Sequence, residues 1–283
     1  MKPAPLPSLT IRHPQFHFQS APENWISNPI HLEFLEALSL FVPTSERFVI
    51  ELMRKQDTLP SPLKERVKAF IKQEGHHSAA HRAANLCILQ KKPELSWVSR
   101  AYSIFLKGFE KLAPKSMRLA APVAFEHFTS AISKDILVNQ TKWINQQEND
   151  AVDFVVWHSL EELEHQSVCL EVYRSKYSTN LPIFISILLA WLPLTLSSIF
   201  IIQAYCLLRR GTILNPKHWL PYIRFSTNIV RLSAIGLTDY LRHDFNGWRK
   251  GDTVIYENAL EKFISKREYI SKANNLAFEN ERP

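Results

Sequence analysis

The sequence predicts an all-α protein, on three observations. Only 6 of its 283 residues are glycine, its apolar residues recur at helical rather than alternating spacing, and most prolines fall where helical stretches begin or end. A chain of this length can bury a sizeable core, and one large domain with an appendage is expected rather than two equal domains. Cys87, Cys169 and Cys206 lie far apart in apolar helical context. That spacing speaks against a disulfide framework or a cysteine-based zinc site and favours a reducing compartment.

Residues 1–28 begin MKPAPLPSLTIRHPQ, rich in proline and without an apolar core of signal-peptide length. They are read as an arm on a cytoplasmic protein. Helical periodicity then runs from about Pro29 to Lys55, with Pro43 as a kink or a start, and from about Pro62 to Gln90. A shorter helix is expected from Trp97 to Leu112, and long ones from Lys115 to Trp143 and from Glu148 to Tyr177. Residues 29–178 therefore form the expected bundle, and 179–283 an extension packed on it or on a membrane.

Residues 177–208 contain no Asp, Glu, Lys or Arg, longer than the roughly 20 apolar residues that cross a bilayer. One long apolar helix over 181–208, attached to or inserted in the inner membrane, is one reading. A kinked helix buried against the bundle, or in a homodimer interface, is the other, because Pro182, Pro193 and several hydroxyls weaken a span. Further helices are expected near His218 to Arg242 and Thr253 to Asn274. Lys and Arg number 21 against 19 Asp and Glu in residues 1–180, but 8 against 2 in 209–251. The surplus is local. It points to anionic lipid rather than nucleic acid, for which no motif is present.

The functional signal is a pair of Glu-x-x-His motifs on separate helices, Glu74 with His77 and Glu162 with His165. Residues three apart share a helical face, so each pair can grip a metal ion from one side. A lone glutamate on the preceding helix, Glu46 before the first pair and Glu126 before the second, completes four carboxylates and two imidazoles. This is the ligand pattern of di-iron and di-manganese carboxylate bundles. Ligand depths within each helical hairpin differ by only about 5 Å at roughly 1.5 Å per residue. The long connection from His77 to Glu126, with the helix at 97–112 inside it, suits the crossover of a ferritin-like four-helix bundle.

Phe70, Phe125, Phe128, Phe154 and Trp157 flank these residues and place them inside, where unpaired charges cost several kcal/mol each unless they bind cations. His81 and His158 lie on the same faces and serve as hydrogen-bond partners or as extra ligands. Glu161 also sits one turn before His165, and Glu162 is preferred because its spacing repeats the first pair. His76 and His127 point about 100° away from their neighbours and read as packing or hydrogen-bonding residues. Surface or capping roles are expected for His13, His17, His31 and His218. Two ions are expected, iron by preference, with manganese or zinc as alternatives.

At these positions the chain resembles a bacterial family labelled predicted metal-dependent hydrolases. The resemblance rests on FVPTSERFVI at 41–50, FIKQEGHHSAAH at 70–81 with Asn85, PVAFEHFTS at 122–130 and WHSLEELEHQSVCLEVY at 157–173. It covers roughly residues 8–250 and implies a ferritin-like helical fold. It also implies metal-ligand roles for Glu46, Glu74, His77, Glu126, Glu162 and His165, with His81 and His158 as associated histidines. Members tend to carry Phe-His-Pro after the basic C-terminal helix, where this chain has Phe245, Asn246 and Gly247.

Three functions are weighed. Oxygen-dependent oxidation of an apolar or lipid-like substrate is favoured, with two irons sharing the electrons and a separate electron donor. Hydrolysis of an ester, amide or phosphoester by metal-activated water is the second, and the family label supports it. The third is a non-enzymatic iron-binding or membrane-associated helical protein. No nucleophile-elbow motif or glycine-rich phosphate loop is present, and beyond the metal centre the sequence marks no catalytic residue.

Overall fold

Asn28 starts the first helix because its side-chain oxygen accepts the N–H of Ile30 at 2.9 Å while Pro29 occupies the first turn, where no backbone donor is needed. This helix, α1, runs Pro29–Arg54, and a short link returns the chain along it as α2, Ser61–Lys91. Then follow α3 (Trp97–Leu112), α4 (Lys115–Val138), the single turn α5 (Gln140–Trp143), α6 (Asp150–His165) and α7 (Val168–Arg174). The C-terminal part adds α8 (Leu181–Ile185), α9 (Ser197–Arg209) and α10 (Trp219–Ala234), with 252–265 also helical. The computed structural model describes residues 8–20, 25–144, 149–185 and 194–265, and no strand occurs among them.

The all-α expectation holds. Helix α1 packs along α2 and α4 along α6, while α1 also meets α4 and α2 meets α6, so four long helices enclose one interior. Phe34, Phe70, Trp143, Trp157 and Tyr173 are fully buried there. Helix α3, expected as the crossover element, lies against α1, with Tyr102 edge-on to Phe41.

Three elements differ from expectation, one of them the helix expected from Lys115 to Trp143, which breaks at Asn139 between α4 and α5. The helix expected over 148–177 is interrupted at Gln166 and Ser167, between α6 and α7. Gly247 packs there: a Cβ on it would stand 2.6 Å from the Gln166 carbonyl oxygen, and its φ is +94°. Proline, fixed near −65°, cannot adopt that backbone, so the Phe-Asn-Gly sequence makes a loop of its own, tied down by Arg174 bonding the Phe245 carbonyl. The helix expected to Arg242 ends at Ala234, because Gly236 takes a left-handed conformation (φ +76°) that closes it.

The apolar segment is described at its two ends. Of the helix expected over 181–208 the described residues hold the two ends, α8 and α9, and 186–193 lie outside them. Helix α9 has 13 residues, about 20 Å against the roughly 30 Å of a hydrocarbon core. No helix among the described residues is long and apolar enough to cross a membrane. Burial accounts for the absence of charge on one side of α9 only, since Ile201 and Leu208 are exposed by 69% and 51%. Ile199, Ile202, Cys206 and Leu207 are buried on the side packed against α1, and buried Gln203 donates to the Ile30 carbonyl at 2.8 Å. The end of the C-terminal helix expected beyond residue 265 lies outside the described residues.

Candidate metal centre

Glutamates and histidines from α1, α2, α4 and α6 meet in the interior. His77 and His165 are fully buried, as is Glu46, and Glu74, Glu126 and Glu162 are at most 2% exposed. Two groups of donor atoms lie close enough to hold an ion, each with all its atoms within 4.8 Å of one another. One is Glu74, His77, Glu162 and His165; the other is Glu46, His81 and His158. Each group therefore draws on both halves of the chain, whereas the sequence repeat suggests one hairpin per ion. Glu126 adjoins the first group, its Oε2 3.6 Å from His165 Nδ1. Glu162 joins the two groups, with Oε1 3.5 Å from His77 Nδ1 and 3.0 Å from His158 Nε2.

The inward atoms make no hydrogen bond and meet only one another's charges. Both oxygens of Glu46, Glu74 and Glu126 lack a hydrogen bond, as do Glu162 Oε2, the Nδ1 atoms of His77 and His165, and the Nε2 atoms of His81 and His158. His165 Nδ1 comes within 2.7 Å of Glu74 Oε1, but not along a hydrogen-bonding direction, so both atoms remain unsatisfied. Each orphaned buried group costs about 1–3 kcal/mol, more if charged. An interior does not collect them in one place unless something else meets them there. The residues present thus fit a pair of cations.

The outward atoms, in contrast, are held. His77 Nε2 lies 3.1 Å from Glu161 Oε2. Burial pushes the Glu161 carboxyl upward, but its bond to His77 and the nearby His165 and Arg12 outweigh that and hold it below the ordinary range. A carboxylate only accepts, so Nε2–H donates and Nδ1 presents its lone pair inward when its proton leaves. His165 Nε2 lies 3.2 Å from Gln73 Oε1. The Gln73 amide cannot flip, because its Nε2 donates to Glu164 at 2.7 Å and to the Thr10 carbonyl at 3.0 Å. His165 is oriented in the same way as His77.

His81 is set by a longer chain of causes that begins with Pro43. Proline has no N–H, so the Ser39 carbonyl four residues back is left without its helical donor. Asn85 Nδ2 supplies one at 2.8 Å. That fixes the Asn85 amide, whose Oδ1 accepts from Ser39 Oγ at 2.7 Å. With its one hydrogen committed, Ser39 Oγ must accept from His81 Nδ1, 2.8 Å away. Burial keeps the His81 ring well below the usual imidazole range, hence neutral, with Nε2 free to bind. The proline in the middle of α1 and Asn85 of the sequence motif are thereby explained.

Without ions the cluster holds protons. Burial works to lower His77, yet its bond to Glu161 and the neighbouring Glu162 and Glu74 carboxylates raise it to about 10. Burial, followed by the charge of Glu74, lifts Glu126 to about 8. Metal uptake would displace these protons.

Several contributors carry no local sequence signal. Glu164, fully buried one turn from Glu161, receives the Thr10 N–H at 3.1 Å, Arg12 at 2.8 Å and the Tyr256 hydroxyl at 2.8 Å, besides Gln73. The N-terminal arm and the C-terminal helix thus both close over α6. Its unusual EELEH sequence, three acids with no cation among apolar residues, is the one hint available. His127 and His76 are packing and hydrogen-bonding residues as read, His127 Nε2 bonding the Ser233 carbonyl at 2.9 Å and His76 the Arg12 carbonyl at 3.1 Å. His13 stacks on His76. His31, expected at the surface, instead sits edge-on to Trp143 and Phe225.

A cavity of about 110 Å³ reaches the second group, of the size that takes a single ring or a short alkyl segment. Leu35, Leu38, Val42, Ile132, Phe154 and Val155 form its apolar wall, and His81 and His158 line it too.

A family model described as predicted metal-dependent hydrolase matches residues 10–251. No curated protein and no solved structure matches the chain.

Proposed function

Since this chain belongs to the predicted metal-dependent hydrolase family, we propose that it is an enzyme holding two metal ions that acts on an apolar substrate. Glu74, His77, Glu162 and His165, with Glu126 beside them, would hold one ion. Glu46, His81 and His158 would hold the other, in a ferritin-like arrangement of α1, α2, α4 and α6. The observation that carries this reading is the contrast between the two sides of the His77, His81 and His165 rings: nitrogens without a hydrogen bond inward, hydrogen-bonded nitrogens outward.

Carboxylate and imidazole donors without sulfur suit iron or manganese better than zinc, and iron is the ion favoured here. A bound pair of redox-active ions supplies the electrons for reducing O₂, replenished by an electron donor. The residues of the chain do the rest. Glu161, Gln73 and Ser39 orient the three rings, and the apolar cavity seats the substrate against His81 and His158 and keeps water out. Oxidation of an apolar substrate is the favoured chemistry. The family's description favours hydrolysis as the second reading.

Purified protein is to be assayed for metal, reduced anaerobically and then exposed to O₂. A transient visible absorption band with O₂ consumption supports oxidation. No band, with ester hydrolysis restored by Zn²⁺ or Mn²⁺, replaces it by hydrolysis.

A further inference from the structure

Helix α10 has two apolar faces, and among the described residues only one of them has a partner. Phe225, Ile229 and Ser233 point inward at i, i+4 and i+8 and are buried, with Phe225 edge-on to Phe34 and His31. The outward face carries Leu220, Ile223 and Val230, exposed by 54%, 58% and 43%. At its start Trp219 is 55% exposed, and in the turn before it Leu214 is 70% exposed. The turn is rigid: Trp219 Nε1 donates to the Ile213 carbonyl at 2.7 Å, and the Ile213 N–H to the Leu207 carbonyl at 3.4 Å. A fixed helix therefore presents a row of large apolar side chains outward, where an unpartnered patch marks an interaction site.

Charge identifies the occupant. Residues 172–238 contain no Asp or Glu and carry seven Lys and Arg. Arg209 and Arg210 are engaged by Glu94 and Glu33, whereas Lys217 and Arg224, both exposed, make no ion pair among the described residues. These two cations lie next to Trp219, Leu220 and Ile223 in sequence and on the same outer side. Apolar residues to enter the acyl boundary, a tryptophan at the rim and cations for headgroups are the chemistry of an interfacial helix. With no acid in 172–238, nothing in this stretch repels anionic headgroups.

We infer that the outer face of α10, with the turn before it, docks on the surface of an anionic lipid bilayer without crossing it. The inference is independent of the chemistry at the metal centre.

The full chain is to be sedimented with vesicles of phosphatidylcholine alone and of phosphatidylcholine mixed equally with phosphatidylglycerol. Binding is expected only to the mixed vesicles, weakened by salt. The variant Lys217→Glu/Arg224→Glu, which touches no buried residue, is expected to lose at least about 30-fold in affinity, from roughly fivefold per cation at an anionic surface. Trp219→Ser/Leu220→Ser/Ile223→Ser is expected to abolish binding with the helical circular dichroism intact. Failure of the wild type to sediment, equal binding to both vesicle types, or charge-reversed protein that binds as the wild type does would each overturn the inference. So would a serine variant that merely turns a dimer into a monomer while vesicle binding persists.

Discussion

Replacing Glu161 with Gln tests how the histidines are held, and the structure fixes the expected size of the effect. The two Glu161 oxygens face two donors, His77 Nε2 at 3.1 Å and Arg12 at 3.2 Å. An amide of the same shape has one acceptor and one donor, so either orientation sets an N–H against an N–H. If the amide nitrogen faces His77, the bond that orients the ring is lost; if it faces Arg12, the guanidinium loses one of its two carboxylate partners and keeps only Glu164 at 2.8 Å. A hydrogen bond to a charged group contributes about 1.5–3 kcal/mol, and losing the partner of a metal-binding histidine costs about 10–100-fold in metal affinity. The two estimates agree. Glu161→Gln is therefore expected to weaken ion binding about 10–100-fold in a chelator-competition titration, with the helical content unchanged. Adding Arg12→Met removes the second donor and lets the amide turn its oxygen to His77, so the double variant is expected to recover part of that loss. Unchanged affinity in the single variant, or a double variant weaker by the product of the two single effects, would refute the reasoning.

Three other outcomes are expected. Glu74→Ala/Glu162→Ala removes a carboxylate from each side of the first group and the one that bridges to the second, so elemental analysis should find no bound metal; full retention would remove the site assignment. Gly247→Ala must fit a side chain 2.6 Å from a carbonyl oxygen at φ +94°, and should lower stability by about 1–3 kcal/mol in urea unfolding; no loss would mean the loop at 245–247 packs elsewhere. His127 is lowered to about 4 by burial, against the opposing bond to Ser233. Its unfolded form binds a proton first, so its contribution is complete above pH about 6.5 and is lost as pH falls towards 4, about 3 kcal/mol in all. In His127→Phe the fall in stability across that window should be shallower, and an identical slope would dismiss His127 as its source.

What could be read from the sequence follows from the range over which each cause acts. Helical periodicity is local, and it placed Glu46, Glu74, His77, Glu126, Glu162 and His165 on inward faces, which the structure brings together. Glu161, ambiguous by spacing, turns out to face the opposite side of His77. The supports for the rings could not be read in this way. Gln73 meets Glu164 and His165 across 91 and 92 positions of chain, and Thr10 reaches Glu164 across 154. Such contacts leave no periodic trace. Pro43 is visible as a helix breaker, but its consequence, a free Ser39 carbonyl that recruits Asn85, exists only once α1 and α2 are packed. The apolar run at 177–208 is ambiguous for a related reason: a helix side packed on protein lacks charges as one in lipid does, and only the length and burial of the helix in the fold separate the two.

The central claim is that two ions sit between these helices, and anomalous diffraction from crystals of the iron-loaded protein tests it most directly. The account predicts two peaks, one among Glu74, His77, Glu162 and His165 and the other among Glu46, His81 and His158. Iron bound elsewhere, or an interior with no anomalous signal in fully loaded protein, would contradict it.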